Sequence, residues 1–421
     1  MSQFFYKKCL WCILAICTIT LSRADDGDNL IYWIDSFYDH QIHAYVSGTS
    51  SKDIQLVFVP TYRSVKAFGK EATYKVCGIG HHAFQNCDRL MAITFRSKKI
   101  FNIEKYAFAY CNKLPTITIP EYVREIGNGA FYDCTNLESV TLSDSLRSIG
   151  VSAFSGCRSL KSIVFPDSLK SVGSYAFYLC ESLESVKINA CITSIDSCTF
   201  MGCKKLNYIE WPSVTHIRKN AFRNCTSLTS ITMPRNLVYL HPYAFEGCTN
   251  LQVIVFPETK MKVSIRSHVF ENCTQLRKIE IHDNVFRIYD SAFRFCTSLP
   301  SLILPAEMQK IETSAFEGCT SLDSVTTLAE VPPILGKDAF KDISPTCVLT
   351  VPYGTKAAYI AAGWTEDIFK GGIREVTPAG IGSVKVQQRQ GEWYDLQGRP
   401  TSHPQKGGIY IQNGRKVMLK H

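Results

Sequence analysis

Along most of this chain the apolar positions follow neither a helical stripe nor a plain strand alternation; they form a compound unit that returns about every 23 residues. Each unit opens on a small residue and a large one, Ala-Phe in most copies. It places a cysteine three residues after the phenylalanine and a leucine three residues after that. An alternating stretch follows: beyond Leu160, Ile163 and Phe165 point to one face of a strand while Val164 points to the other. Prolines at 120, 166, 212, 234, 257 and 305 end that strand, because proline has no amide to donate to the next ladder bond. A second short extended piece comes next, as in Leu146-x-x-Ile149-Gly150 and Leu169-x-x-Val172-Gly173. Its glycine is expected at positive φ in a sharp turn, and the Ala-Phe segment beyond it is expected to make a single helical turn.

Twelve phenylalanines mark the units: Phe84, Phe108, Phe131, Phe154, Phe177, Phe200, Phe222, Phe245, Phe270, Phe293, Phe316 and Phe340, at spacings of 22 to 25 residues. One such unit cannot bury its apolar side alone, so the repetition predicts a solenoid in which neighbouring rungs stack into a continuous core. At ~4.8 Å per stacked strand the repeats would extend on the order of 50–60 Å. The period overrides the two or three domains that 421 residues would otherwise suggest. Residues 73–345 are expected to hold the repeats, residues 25–72 a β cap at the N-terminal end, and residues 346–377 a C-terminal cap with Trp364 as a plug over the last rung.

Cysteine usage changes the picture next. Eighteen cysteines suggest a disulfide scaffold, yet eleven of them occupy a single column of the repeat between an apolar pair and a leucine. There a cysteine behaves as a small buried hydrophobe, and an odd column does not pair two by two. Off-column Cys77, Cys191, Cys198 and Cys347 are left as candidates for an isolated bridge. No Cys-x-x-Cys pair or Cys/His cluster has ligand spacing, so no metal or cofactor is expected. There is no nucleophile elbow, His-Glu-x-x-His helix or phosphate-binding glycine loop, so the chain is read as no enzyme and no catalytic residue is assigned. His81, His82, His216, His241, His268 and His282 read as solvated turn residues.

Residues 1–24, with Lys7-Lys8, an apolar run from Cys9 to Leu21 and Ser22-Arg23-Ala24, read as a secretory signal peptide cleaved after Ala24. Leu14-Ala15-Ile16-Cys17 also has the outline of a lipobox, with an isoleucine poorly suited to it. No later stretch is long enough to cross a bilayer as a helix. The formal charge of +9 falls to +6 without residues 1–24, and residues 378–421 hold +5 of that. The solenoid therefore carries mixed charges near balance, without the concentrated basic stripe that nucleic-acid binding needs.

The unit Ala-Phe-x-x-Cys-x-x-Leu-x-x-Ile-x-Ile-Pro resembles the BspA-like, or Treponema-type, leucine-rich repeat over residues 73–345. Departures are Thr199 and Val269 in place of alanine, the 22- and 25-residue units, and the absence of a cysteine after Phe340. The resemblance implies a mostly β fold of the α/β class, a right-handed leucine-rich-repeat solenoid of about twelve rungs with terminal caps. It also implies a bacterial surface protein that binds host proteins or other cells. The small β tail, 378–421, with Glu392-Trp393-Tyr394-Asp395, Gly408-Ile409-Tyr410-Ile411 and a hairpin at Asn413-Gly414, resembles type IX sorting domains of Bacteroides-type bacteria.

The expected role is a secreted or cell-surface adhesin-like binder, acting as a monomer on an extracellular protein or glycan such as host matrix. The alternative is a structural spacer with no dedicated ligand. On the outward strand columns, small and β-branched residues dominate; only Lys187, Tyr208 and Glu210 make a patch of charged and aromatic character. A second candidate is the row Tyr110, Tyr132 and Tyr178, aromatic residues that follow the buried phenylalanine.

Overall fold

The computed structural model describes residues 30–376 except 39–40, 50 and 68–69, together with the strands Trp393–Tyr394, Pro400–Thr401, Ile409–Gln412 and Arg415–Met418. The expected signal peptide, the lipobox outline and most of the tail lie outside the described residues. The chain divides into two compact units, Met1–Phe177 and Tyr178–His421. Both are built from the same solenoid turn.

Each turn contributes two short strands. The first carries the alternation seen in the sequence: in Ser162–Val164, as in Thr116–Thr118 and Ser139–Thr141, the middle residue is buried and its neighbours are exposed. Ile163 is 4% exposed and Val164 is 75% exposed, so the two faces assigned to them are the faces they occupy. Equivalent strands pair in parallel and in register, Ser139 with Thr116 and Val140 with Ile117. The second strand is only two residues long in most turns, and its ladder in the first unit runs through Ile79, Ile103, Ile126, Ile149 and Val172, all buried.

Between these two ladders lies a third that the sequence did not announce. The Ala-Phe segment is not a helical turn, and the glycine before it is not left-handed. Instead, the residue two before each of the twelve phenylalanines and the residue two after it have positive φ: His82 and Asn86, Tyr106 and Tyr110, Gly129 and Asp133, and so on to Asp338 and Asp342. Switching between right- and left-handed conformations aims successive amides in different directions. Ala83 N, Gln85 N and Cys87 N donate locally to Gly80, His82 and Phe84 at 3.1–3.3 Å. His82 N, Phe84 N and Asn86 N donate instead to Lys105, Ala107 and Ala109 of the next turn at 2.7–3.0 Å. A helix would spend all its amides within one turn; here half of them tie turns together. At Gly150 the missing side chain serves close approach, since a Cβ there would sit 2.6 Å from the Asn128 backbone nitrogen.

The phenylalanines stack behind this ladder. Within the first unit Phe84, Phe108, Phe131, Phe154 and Phe177 lie 5.1–5.4 Å apart and nearly parallel; within the second, Phe200 to Phe340 continue at 5.1–5.5 Å. All twelve are at most 3% exposed. The column cysteines are buried and free, as expected for packing thiols, but they also do something the pattern alone did not suggest. Cys111, Cys134 and Cys157 donate their S–H to the carbonyls of Phe84, Phe108 and Phe131, one turn back, at 3.0–3.2 Å. Cys225, Cys248, Cys273, Cys296 and Cys319 do the same in the second unit at 3.2–3.5 Å. A valine of similar size would leave that acceptor to a single donor. The off-column cysteines are free as well, so among the described residues no isolated bridge forms; Cys77, Cys198 and Cys347 are buried and Cys191 is exposed.

The end segments join the ladders. Leu56–Val59 pairs in parallel with Ala92–Phe95 in the first-strand position, and Gln41–Thr49 places Val46 beside Ile79 in the second-strand column. At the other end, the helix Lys356–Ala361 brings Tyr359 inward, and Trp364 and Phe369 pack on Phe340 at ring distances of 5.7 and 5.3 Å. Trp364 is fully buried, with Nε1 donating to Pro333 O at 3.0 Å, so it closes the phenylalanine stack as a plug would. Further on, Ile409–Gln412 and Arg415–Met418 pair antiparallel, with Gln412 opposite Arg415.

Candidate binding surface

The sites read from the sequence fall on three separate surfaces. Lys187 and Glu210 are direct neighbours across paired strands, Nζ 3.7 Å from the carboxylate, and Tyr208 stands opposite Ser185. Tyr208 is 42% exposed, and partial burial followed by the Glu210 charge raises its hydroxyl pKa. Because lysine and glutamate neutralise each other in solvent, the patch offers one aromatic ring and little net charge.

Tyr110 and Tyr132 meet edge to face at 5.5 Å in the first unit; Tyr178 belongs to the second unit and is half-buried. The structure adds to the tyrosine pair two rings the sequence reading passed over. Tyr106 lies 6.4 Å from Tyr132, and His82 stacks on Tyr106 at 5.4 Å. Gly129 makes this possible, because a Cβ there would meet the Tyr106 ring at 2.2 Å.

The third surface lies in the second unit and was missed. Three histidines read as solvated are packed on tyrosines: His216 against Tyr239 at 4.9 Å, His241 beside the same ring at 6.2 Å, and His268 flat on Tyr243 at 4.6 Å. Rungs place these residues one above another, which single-sequence reading of scattered positions did not reveal. Cations cover the neighbouring rings. Lys219 lies over Tyr243, while Arg266 and Arg287 both cover Tyr289, at 4.7 and 4.4 Å. Arg218 pairs with Asp196 and Arg287 with Glu312; among the described residues Arg266 and Lys219 have no carboxylate within ion-pair distance. His241 is held below the usual imidazole pKa by burial and by the surrounding Arg218, Arg266 and His216.

A cleft of about 280 Å³ opens here, lined by Tyr239, Leu240, His241, Pro242, Arg266, Ser267 and Tyr289. It lies at the 25-residue spacing between Phe245 and Phe270. The extra residues fall in the stretch 258–262, and after it the second-strand ladder is interrupted: Tyr239–Leu240 ends one three-stranded sheet and Val263–Ile265 starts the next. His241 N still bonds Ile217 O and Tyr289 N bonds Ile265 O, both within 2.9 Å, but no strand pairing spans the interruption among the described residues. The unit of unusual length was the available signal.

Several other charged groups of the second unit are paired with each other. The residues that follow Phe222, Phe245, Phe270, Phe293 and Phe316 form ion pairs across turns, Arg223 with Glu246 at 2.9 Å and Arg294 with both Glu271 and Glu317 at 3.7 and 3.0 Å. Burial raises the Glu246 pKa, opposed by Arg223, whereas hydrogen bonds from Ser314 and Arg294 hold Glu317 low. Among the described residues no group of three potential metal ligands converges.

A family model described as the BspA type leucine rich repeat region matches in six copies, over residues 71–183, 124–223, 170–263 and 215–347. The chain belongs to the BspA-type leucine-rich-repeat family. Solved structures similar to this BspA-type chain include a leucine rich cell surface protein from Faecalibacterium prausnitzii, 22% identical, covering 87% of this chain and 98% of that one at a TM-score of 0.49. A leucine-rich repeat protein from Bacteroides ovatus is 23% identical, with coverage of 82% and 98% and a TM-score of 0.39. The pneumococcal vaccine antigen PcpA is 17% identical, with coverage of 83% and 97% and a TM-score of 0.44. No curated protein sequence matches the chain. Among the described residues of this BspA-type repeat protein, no helix is long and apolar enough to cross a membrane.

Proposed function

We propose that this chain is an exported binding protein, displayed on the cell surface or released, that recognises an extracellular protein or glycan through its solenoid surface without catalysing a reaction. The observation that carries the reading is the concentration of tyrosine rings, Tyr239 exposed and Tyr243 and Tyr289 half-buried, with the unpaired cations Lys219 and Arg266 beside them, in a solenoid of mixed charge near net balance. A spacer needs stacked rungs, but it gains nothing from an uncompensated Arg266 beside an interrupted ladder. Fold alone would not license the function; family membership and this surface together support it. Residues 1–24 serve as the export signal, and residues 378–421 act as a sorting-like tail whose basic charge favours an acidic envelope. The Lys187, Tyr208 and Glu210 patch and the tyrosines at 110, 132 and 178 are secondary contact surfaces in the same scheme.

The test is a binding screen of the purified full chain, as a monomer, against extracellular-matrix proteins and polysaccharides, with fractionation of the producing cells. Saturable binding by at least one class, and recovery of a chain beginning at Asp25 outside the cytoplasm, is the expected result. Absence of binding to every class would leave the spacer.

A further inference from the structure

We infer that the cleft between Tyr239 and Tyr289 is a subsite for an acidic sugar unit of a polysaccharide, one that carries a carboxylate or a sulfate. The inference rests on the binding reading above and narrows it to one site and one ligand chemistry.

Three features of the cleft match three features of such a sugar. A pyranose ring has a C–H face that packs on an aromatic surface, and Tyr239 presents a ring that is 48% exposed, backed on one side by His216 at 4.9 Å. An anionic substituent needs a cation not already neutralised. Arg266 is that cation: it is held over Tyr289 at 4.7 Å, whereas the other guanidinium on the same ring, Arg287, is committed to Glu312. A guanidinium fixed on a ring has already lost much of its side-chain freedom, so its planar fork binds a carboxylate or sulfate at lower entropic cost. Hydroxyls need short-range polar partners, and His241 and Ser267 line the same cleft. Burial and neighbouring cations favour the neutral imidazole, which both donates and accepts.

The size and charge argue against two other ligands. About 280 Å³ is below the roughly 300–1,000 Å³ of pockets that engulf a small molecule. It suits one unit of a chain that continues along the surface past Lys219 and Tyr243. Two unpaired cations are too few for the series of phosphate contacts through which nucleic acids bind. Asp196, Glu312 and the exposed Asp290 stand near the patch, and they would repel a densely charged polyanion more than a sugar with one charge per unit.

The experiment measures binding of the full chain to polygalacturonate, kappa-carrageenan, neutral dextran, a polyuridylate RNA and polyglutamate, with Arg266→Gln and Tyr239→Ala as variants. Both substitutions remove exposed or half-exposed side chains, and unchanged circular dichroism and thermal unfolding verify the fold. We expect saturable binding to polygalacturonate or kappa-carrageenan, whichever anion the site prefers, and none to dextran. Each variant should weaken it about tenfold or more, the scale of one charge-assisted hydrogen bond or one aromatic contact. Binding of RNA or polyglutamate as tight as that of the acidic saccharides would overturn the inference, as would variants that bind like the parent. If matrix proteins bind but no acidic saccharide does, the subsite is wrong and the binding function stands; if nothing binds, both fall.

Discussion

Replacing Cys248 with alanine should make the protein less stable at pH 8 and less sensitive to alkali. Cys248 is fully buried, its S–H donates to Phe222 O at 3.3 Å, and burial pushes its pKa up to about 12. In the unfolded chain a thiol ionises near pH 8.5. The folded pKa is raised, so the folded state holds the proton that the unfolded state releases. Stability from this group is therefore complete below the unfolded pKa and is lost as pH rises toward the folded one. Between pH 8 and pH 10 the native thiol stays neutral while the unfolded one becomes almost fully charged, which costs about 2 kcal/mol per buried thiol. That figure depends on the unfolded pKa alone as long as the native one stays well above 10, so it does not rest on the native value in detail. Cys319, also raised to about 12, and the other column thiols with raised pKa behave alike. Several such terms together rival the ~5–15 kcal/mol that holds a domain folded. The assay is urea unfolding under reducing conditions at pH 8 and pH 10, for the parent chain and Cys248→Ala. At pH 8 the variant should lose about 1–3 kcal/mol for the vacated volume and the missing donor. From pH 8 to pH 10 it should lose about 2 kcal/mol less than the parent does. Equal losses for the two chains would refute the argument that a neutral buried thiol is what alkali attacks.

Three further outcomes follow from the packing. Phe245→Ala removes a ring stacked between Phe222 and Phe270 and touched by Trp211, and should cost about 3–5 kcal/mol in the same unfolding assay; a loss under 1 kcal/mol would show that the stack relaxes around the hole. Gly150→Ala should destabilise more than Gly354→Ala, because the first puts a Cβ 2.6 Å from backbone of the turn before it, and the second, at φ +77, meets nothing within 4 Å and costs only the ~1 kcal/mol of a left-handed alanine. A chromogenic disulfide reagent on the native protein should titrate Cys191 and none of the other fourteen cysteines between 77 and 347, with the rest reacting only in denaturant; rapid labelling of a column cysteine would contradict the sealed core.

Much of the fold was legible because each solenoid turn is a local object. Ile163, Val164 and Phe165 declare their faces by alternation within three residues, and the Phe and Cys columns are read by counting along one chain. The left-handed pair flanking each phenylalanine was less legible, although nine of the twelve residues two beyond it are Asn, Asp or Gly, the types that tolerate that conformation. The exceptions, Tyr110, Leu179 and Phe295, are carried by inter-turn hydrogen bonds that no local propensity reports. Two of them lie over a glycine of the following turn, Leu179 over Gly202 and Phe295 over Gly318, so the cost at one position is met by a small residue about one period later.

The sequence by itself determined the repeat, the strand faces and the buried phenylalanine and cysteine columns, since each follows from apolar spacing within one period. Only tertiary structure decided where amides and thiols bond, because Phe84 N reaches Ala107 and Cys111 Sγ reaches back to Phe84 across turns. It also decided where the chemistry collects. Tyr239, Arg266 and Tyr289 are 27 and 23 residues apart in sequence and share a cleft because stacking brings neighbouring phases of successive units together: Arg266 and Tyr289 each lie four residues before a column phenylalanine and Tyr239 six before its own.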